Sequence, residues 1–182
     1  MKKILFILLL GAGFIACKES PKGANGVTYK SPVQYNDYIV GRQTTLMKNI
    51  VAFSEASQIN LDSAEKMLDR YVIETSTMIK EIKGMPAYKG DSSLRDAAIQ
   101  TFGFYKQVFE DDYKQIIQLN KDGENITEDG VAKLNNIVED ISRREEKLDK
   151  VFHNAQSAFA REHNMRLTEN SMQKKLDELD KD

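Results

Sequence analysis

The 182-residue chain has no tryptophan, one cysteine, two histidines and three prolines. A single cysteine excludes a disulfide within the chain and a zinc site built from cysteines. The prolines, at positions 21, 32 and 86, leave room for long unbroken helices. No apolar run reaches the roughly 20 residues that a membrane-spanning helix needs, so the sequence predicts no such helix.

Motifs for catalysis and metal binding are also missing. Neither His153 nor His163 follows a glutamate by three residues, as the ligands of paired-metal helical bundles do. The two histidines are ten residues apart in the chain, a spacing that does not place them together on one helix face. There is no Gly-x-Ser-x-Gly elbow and no phosphate-binding glycine loop. We therefore predict no catalytic residue, no cofactor and no resident metal, and hence no enzyme.

One loop is similar to the opening of a calcium-binding EF-hand. It runs from Asn120 to Glu124, but the glycine expected next is Asn125 and the bidentate glutamate expected at the twelfth place is Val131. A plain helix-capping turn explains the same residues. The alternative is a weak adventitious ion at Glu128 and Asp129.

The first seventeen residues form the clearest motif. Lys2 and Lys3 precede an apolar run over 4–10, small residues follow, and Cys17 comes directly after Ala16. A charged start, a short apolar core and small residues before a cleavage point are typical of a secretory signal peptide. With its cysteine at that point, the segment resembles the lipobox of bacterial lipoproteins.

The lipobox resemblance implies a processed and lipidated chain. Residues 1–16 would be removed, the thiol of Cys17 would carry a diacylglycerol, and the new amine would be acylated, for example with palmitate. Three acyl chains would hold the protein firmly on a membrane. Phe14 stands where these signals usually have leucine. The alternative is an ordinary cleaved signal with a chance cysteine.

The residues after Cys17 bear on location. No aspartate follows the cysteine, so the inner-membrane retention rule of enteric lipoproteins is not met. Lys18 and Glu19 are similar to the short charged export signal of surface lipoproteins in Bacteroidota. We expect the outer membrane, on either its periplasmic or its outer face. Residues 17–31, which include Pro21 and several glycines, are predicted to form a flexible tether of roughly 20 Å.

Charge argues against nucleic acid as a partner. Removal of residues 1–16 lowers the basic side chains from 26 to 24 against 28 acidic ones, a net charge of −4. Proteins that bind DNA or RNA usually carry the opposite sign.

Apolar residues recur every three or four positions along four segments, which predicts four helices. The first opens at Pro32, the second follows Asn60 and ends at Gly84, the third runs from 91–93 to 120–123, and the fourth starts after Thr127 and is about 35 residues long. Short connections predict an all-α fold, an up-down-up-down four-helix bundle over residues 32–165. The charged segment 166–182 is predicted as a short helix or a tail.

The apolar spacing also predicts which residues of the third and fourth helices face the core. The apolar seam of the third helix is predicted at Leu94, Ala98, Phe102, Tyr105, Phe109, Ile116 and Leu119, and that of the fourth at Val131, Leu134, Val138, Ile141, Glu145, Leu148, Phe152, Ala155 and Phe159.

The start of the second helix has two interpretations. Asp62 and Glu65 are predicted as a capping pair. Asp62, Ser63 and Ala64 also resemble the acceptor motif for protein O-glycosylation in Bacteroidota, which would make Ser63 a glycosylation site. A plain helix N-terminus accounts for the same residues.

Two charged residues fall in apolar seams, Arg42 in the first helix and Glu145 in the fourth. Because an unpaired buried charge is costly, they pair, face a wet pocket, or mark an opening of the bundle. Alternatively they extend to solvent, with Glu145 balanced by Arg143, Arg144 and Lys147.

The third helix has a second apolar stripe at Phe104 and Val108. Such a stripe needs a cover. One hypothesis makes it a partner-binding face. The other covers it with the fourth helix or with the segment from Met172 to Leu179.

As a whole, the chain resembles helical surface lipoproteins of Bacteroidota and spirochaetes, on the lipobox, the helix from Tyr35 to Phe53 and the layout. This likeness implies architecture and location only. We expect a lipid-anchored envelope protein that binds an envelope or extracellular protein, as adhesin, scaffold or accessory subunit. The alternative is a small-ligand carrier with an apolar cavity lined by Tyr35, Tyr71 and Tyr105.

Overall fold

A computed structural model of the chain describes Ser20 and residues 22–167, apart from the side chain of Glu124. The predictions for the signal peptide, Cys17 and segment 168–182 lie outside these residues. Over the described range the chain is mainly helical. This range contains two isolated antiparallel bridges and no strand. None of the described helices is long and apolar enough to cross a membrane.

The helices form four antiparallel rods. Their bounds are α1 Pro32–Ile59, α2 Leu61–Lys83, α3 Ser93–Gln107, a π-helical segment Val108–Asp112, α4 Tyr113–Lys121, a 3₁₀ turn Gly123–Asn125 and α5 Glu128–Glu162. Helix α3, the π-helical segment and α4 follow one another without a break and make the third rod. The predicted all-α, up-down-up-down bundle is confirmed.

Side-chain caps place the helix starts where the sequence predicts them. Ser31 Oγ accepts a hydrogen bond from the Gln34 amide at 3.1 Å, and Pro32 occupies the first turn. Thr127 Oγ1 accepts from the Gly130 amide at 3.1 Å at the start of α5. These caps satisfy amides that have no partner inside the helix.

The cap of α2 differs from the predicted pair. Asn60 Oδ1 accepts from the Ser63 amide at 2.8 Å, so Asn60 caps the helix. Asp62 and Glu65 instead bind Lys121 Nζ at 2.8 and 2.7 Å. The predicted capping pair is wrong, because the end of α4 lies beside the start of α2 and offers these carboxylates a cation.

Helix α3 is the central element of the bundle, packed between α2 and α5. It therefore buries two stripes. The first contains the predicted seam residues Leu94, Ala98, Phe102 and Tyr105, and the second contains Ala97, Thr101 and Phe104.

The π-helical segment shifts the seam of the third rod by one residue. The Tyr113 amide donates to the carbonyl of Val108, five residues earlier. The segment therefore contains one residue more than a regular α-helical turn. After it, Ile117 is fully buried, whereas the predicted seam residues Ile116 and Leu119 are only half-buried.

The predicted seam of α5 packs on the core from Ile141 onward and not over the first turns. Phe152 and Phe159 are buried, but Val131 is 43% and Val138 48% exposed. The prediction of one buried seam along the whole helix is therefore wrong. Helix α1 meets α5 near the C-terminal end of α5, where the Asn36 side chain accepts from Gln156 at 2.9 Å, and does not cover its first turns.

Residues 22–30 are not the flexible tether that the sequence predicts. They form a hook, in which Gly23 N–H donates to the Val27 carbonyl at 2.8 Å and Lys22 bridges Thr28. Tyr29 is fully buried at the end of the hook. The folded domain thus begins near residue 22 instead of 32.

The hook docks on the C-terminal end of α2. The Asn25 amide donates to the Gly84 carbonyl at 3.2 Å, and its side chain donates to the Glu81 carbonyl at 3.1 Å and to the Tyr29 hydroxyl at 2.7 Å. A Cβ atom on Gly84 would lie 2.8 Å from the Asn25 nitrogen. Only glycine allows this approach.

We predict opposite effects for two glycine-to-alanine changes. Gly84→Ala should destabilise the domain by about 1–3 kcal/mol, because the new methyl group collides with the hook. Gly103→Ala, on the open face of α3 with nothing within 4 Å of its Cβ position, should stabilise it by about 0.5–1 kcal/mol. Urea unfolding followed by circular dichroism measures both. A stabilising Gly84→Ala would mean that the hook does not dock there.

Candidate functional site

The two ends of the bundle differ in construction. The basal end consists of the hook 22–30, the α2–α3 loop 84–92 and the C-terminal end of α5. It holds an aromatic cluster in which the Tyr35 ring lies 5.2 Å from Tyr29, 5.2 Å from Tyr88 and 5.5 Å from Phe159. The distal end consists of the α1–α2 junction, the end of α4 and the start of α5.

The three tyrosines proposed to line a ligand cavity are packed in the core. Tyr35 stacks on Phe159 and donates to the Pro86 carbonyl at 2.9 Å. The Tyr71 ring lies 5.5 Å from Phe109. The Tyr105 hydroxyl donates to the carboxylate of Glu145. These rings fill the space between the helices.

Phe104 and Val108, the candidate docking residues, are buried, with 7% and 0% of their surface exposed. The Arg144 guanidinium of α5 lies 5.1 Å from the centre of the Phe104 ring. The hypothesis of an exposed docking face at this stripe is therefore wrong. The fourth helix of the alternative interpretation, α5, supplies part of the cover through Arg144, and the segment from Met172 to Leu179 lies outside the described residues.

The two charged seam residues pair with different partners and not with each other. Arg42 binds Glu81 of α2 at 2.7 Å and stacks 3.4 Å above the Tyr38 ring. Glu145 accepts from Tyr105. Arg42 thus joins α1 to α2, and Glu145 joins α5 to α3.

Arg144, which the sequence suggested as a partner of Glu145, binds elsewhere. It reaches Asp112 in the π-helical segment at 2.5 Å and Asp140 one turn away at 2.7 Å. The Asp140–Arg144 spacing is visible in the sequence, but the link to Asp112 depends on the π-helical register and could not be read from it.

Burial controls the ionisation of the tyrosines at the α3–α5 interface. It raises the pKa of Tyr105 far above its ordinary range, and the nearby Glu145 carboxylate adds to the effect. Burial and then Glu145 likewise raise the pKa of Tyr113 to about 12. Both phenols stay protonated in the folded chain, so Tyr105 remains a donor to Glu145.

The histidines serve the helix end and the aromatic cluster. His163 is the C-cap residue of α5, with its amide donating to the Phe159 carbonyl at 3.1 Å and its ring 4.5 Å from that of Phe159. His153 is exposed. Across the described part of the chain, no three His, Cys, Asp or Glu side chains come close enough to hold a metal ion.

Ser63 lies exposed in the first turn of α2, where its amide bonds to Asn60. The helix N-terminus is therefore confirmed, and glycosylation of its hydroxyl stays a prediction. The loop before α5 is a capping turn, closed by Thr127.

Of the six large apolar residues that are exposed in the described part of the chain, three lie toward the distal end: Ile59, Val131 and Val138. We define the α5 stripe as Val131, Leu134 and Val138, three residues on one side of the first turns of α5, with the two valines exposed and the leucine half-buried. An open cleft of about 330 Å³ also lies at the distal end, lined by Phe53, Ile59, Leu61, Ile116, Ile117 and polar neighbours.

No protein-family model matches the chain, and the comparisons with curated proteins and with solved structures found no match either. The hook was not predicted from the sequence, although two signals for it are present. Asn25-Gly26 is a turn dipeptide, and an aromatic residue such as Tyr29 is unusual in a solvated tether.

We predict that the domain loses stability above the ordinary tyrosine pKa of 10.0. Because the folded state raises the pKa of Tyr105 and Tyr113, their stabilising contribution is complete below that value and is lost as the pH rises beyond it. Thermal unfolding at a series of alkaline pH values should show this fall. Tyr105→Phe should make the fall smaller, since burial also raises the pKa of Tyr35 and Tyr113. By removing the donor to Glu145, it should also cost about 1 kcal/mol at neutral pH. Tyrosinate absorbance that is complete while the chain is still folded would contradict the prediction.

Proposed function

We propose that the chain is a lipid-anchored protein of the bacterial outer membrane that acts by binding another envelope or extracellular protein, as adhesin, scaffold or accessory subunit. The anchor is supported by the charged start, the short apolar run and the lone cysteine at its end. With no membrane-spanning helix among the described residues, a lipid on Cys17 would supply the attachment.

The α5 stripe carries the proposal of partner binding. Val131 and Val138 lie on the side of α5 that faces α1 at the other end of the helix, yet α1 leaves them uncovered here. Apolar side chains at helical spacing on an uncovered face provide an anchor for a partner helix or groove. The stripe lies about 36 to 47 Å along α5 from Glu162 at the basal end, at a rise of about 1.5 Å per residue.

The packing of the tyrosines favours an interaction protein over a small-ligand carrier. A carrier needs an enclosed apolar cavity, and Tyr35, Tyr71 and Tyr105 occupy the space in which the sequence suggested one. The distal cleft is open to solvent and lies at a helix junction. Its shape suits a protruding side chain of a partner better than an enclosed small molecule.

The anchor is tested by Cys17→Ser. We expect this variant to lose detergent-phase partitioning, to retain its signal peptide under the lipoprotein-specific protease, and to incorporate no labelled palmitate. Ser20→Ala, three residues further on, is the matched control and should behave like the parent chain. Palmitate incorporation that survives Cys17→Ser would disprove the lipoprotein interpretation.

The α5 stripe is tested by Val131→Asp with Val138→Asp. Because both side chains are already exposed, the melting temperature should change little, while recovery of the partner by affinity purification from solubilised membranes should fall at least about tenfold. The control carries the same added charge at two exposed apolar residues elsewhere, Val33→Asp with Ile73→Asp. Equal loss in both variants would show that the stripe is not the binding surface.

A further inference from the structure

The basal end carries a group of exposed cations that form no ion pair within the described part of the chain, although the Lys89 ammonium lies 6.0 Å from the centre of the Tyr88 ring. They come from separate elements, the hook, the end of α2, the α2–α3 loop and the end of α5, and we call them the basal cations: Lys22, Lys30, Lys83, Lys89, Arg161 and Arg166. Unpaired cations gathered on one face attract a negatively charged surface.

Most acids near the basal cations are already engaged. Asp91 accepts from the Ser93 amide at 2.8 Å and from its hydroxyl at 2.6 Å. Asp96 binds Arg95 at 2.9 Å, and Glu81 binds Arg42. Among the described residues, the exposed acids Asp37 and Glu162 share this end and leave the six cations in excess.

The distal end has the opposite character. Two of its lysines are held in ion pairs, since Lys114 binds Asp69 at 2.7 Å and Lys121 binds both Asp62 and Glu65. Lys66 and Lys133 are exposed and form no ion pair with the described residues. Asp122, Glu128 and Asp129 are exposed there. The mature chain is acidic overall, so an anionic surface would repel the distal end and attract the basal one.

The hook brings the basal end close to the proposed anchor. Because the folded domain begins near Lys22, only five residue steps separate it from Cys17, and five steps span at most about 17 Å. With a Debye length of about 8–10 Å, this upper limit leaves the start of the domain within roughly two Debye lengths of the anchor. The basal cations are thus within electrostatic reach of the membrane that holds the lipid.

We propose that the basal end docks on the anionic phospholipid surface of the anchoring membrane and holds the bundle upright, with the distal end directed away. This inference depends on the lipid anchor proposed above. The basal cations bind headgroup phosphates, and the aromatic cluster beneath them keeps the hook, the loop and the end of α5 in one rigid unit. The α5 stripe is thereby presented to a partner.

The test uses the mature chain with Cys17→Ser, which binds a membrane only through its protein surface. It should sediment with vesicles of phosphatidylglycerol and phosphatidylcholine, not with phosphatidylcholine alone, and added salt should release it. Lys22→Glu with Lys83→Glu and Lys89→Glu should weaken binding at least about tenfold. The matched control, Lys66→Glu with Lys133→Glu and Lys147→Glu, makes the same change in net charge away from the basal end and should bind within about twofold of the parent.

Absence of vesicle binding in the parent, or equal loss in the control, would overturn the proposal. Binding to a DNA duplex but not to vesicles would overturn it as well and assign the face to nucleic acid. Labelling of Cys17 is measured separately, so a failed anchor and a failed docking face are distinguishable. If palmitate labels Cys17 but the vesicles bind nothing, the anchor stands and the docking is wrong.

Orientation has its own measurement, because the chain contains no tryptophan. A single reporter at the basal end, Thr28→Trp, should show blue-shifted fluorescence on anionic vesicles. The distal reporter Ile59→Trp, also at an exposed position, should show none. A shift at Ile59→Trp alone would mean that the bundle lies the other way up.

Discussion

Helix α3 has to bury apolar side chains on two faces, and the arrangement of the other helices follows from that constraint. Helices α2 and α5 both pack on α3, and α5 reaches Phe104 of one stripe through Arg144 and Tyr105 of the other through Glu145. Helix α1 then packs mainly on α2 and reaches α5 only near the basal end. Because α3 lies between α2 and α5 and α1 packs on α2, the first turns of α5 stay uncovered. The α5 stripe, which we propose as the partner-binding surface, lies on these turns.

Much of the architecture could be predicted from local signals. Ser31, Asn60 and Thr127 mark helix starts, and Gly84 marks a helix end, because capping depends on residues next to one another in the chain. The three- and four-residue spacing of apolar side chains likewise predicts rods whatever they pack against. For the same reason the pattern identified Phe104 and Val108 as a second apolar face but not the helix that covers it.

The features that escaped prediction depend on contacts distant in sequence. Asp62 and Glu65 bind Lys121 instead of capping α2, because α4 ends beside the start of α2. The hook requires Gly23 and Gly84 to meet, which no local pattern encodes. The basal cations are scattered over nearly the whole chain and become one surface only after folding. Their common sign is hidden in the sequence by an acidic net charge.

The π-helical segment also bears on how the chain tolerates changes in length. Val108–Asp112 holds one residue more than a regular α-helical turn. Loss of a single residue there would restore a continuous α-helix and leave the inward faces of both α3 and α4 in place. The same loss inside α2 would rotate everything beyond it by about 100° and turn core side chains toward water. Length variants of this protein should therefore be accommodated in the middle of the third rod.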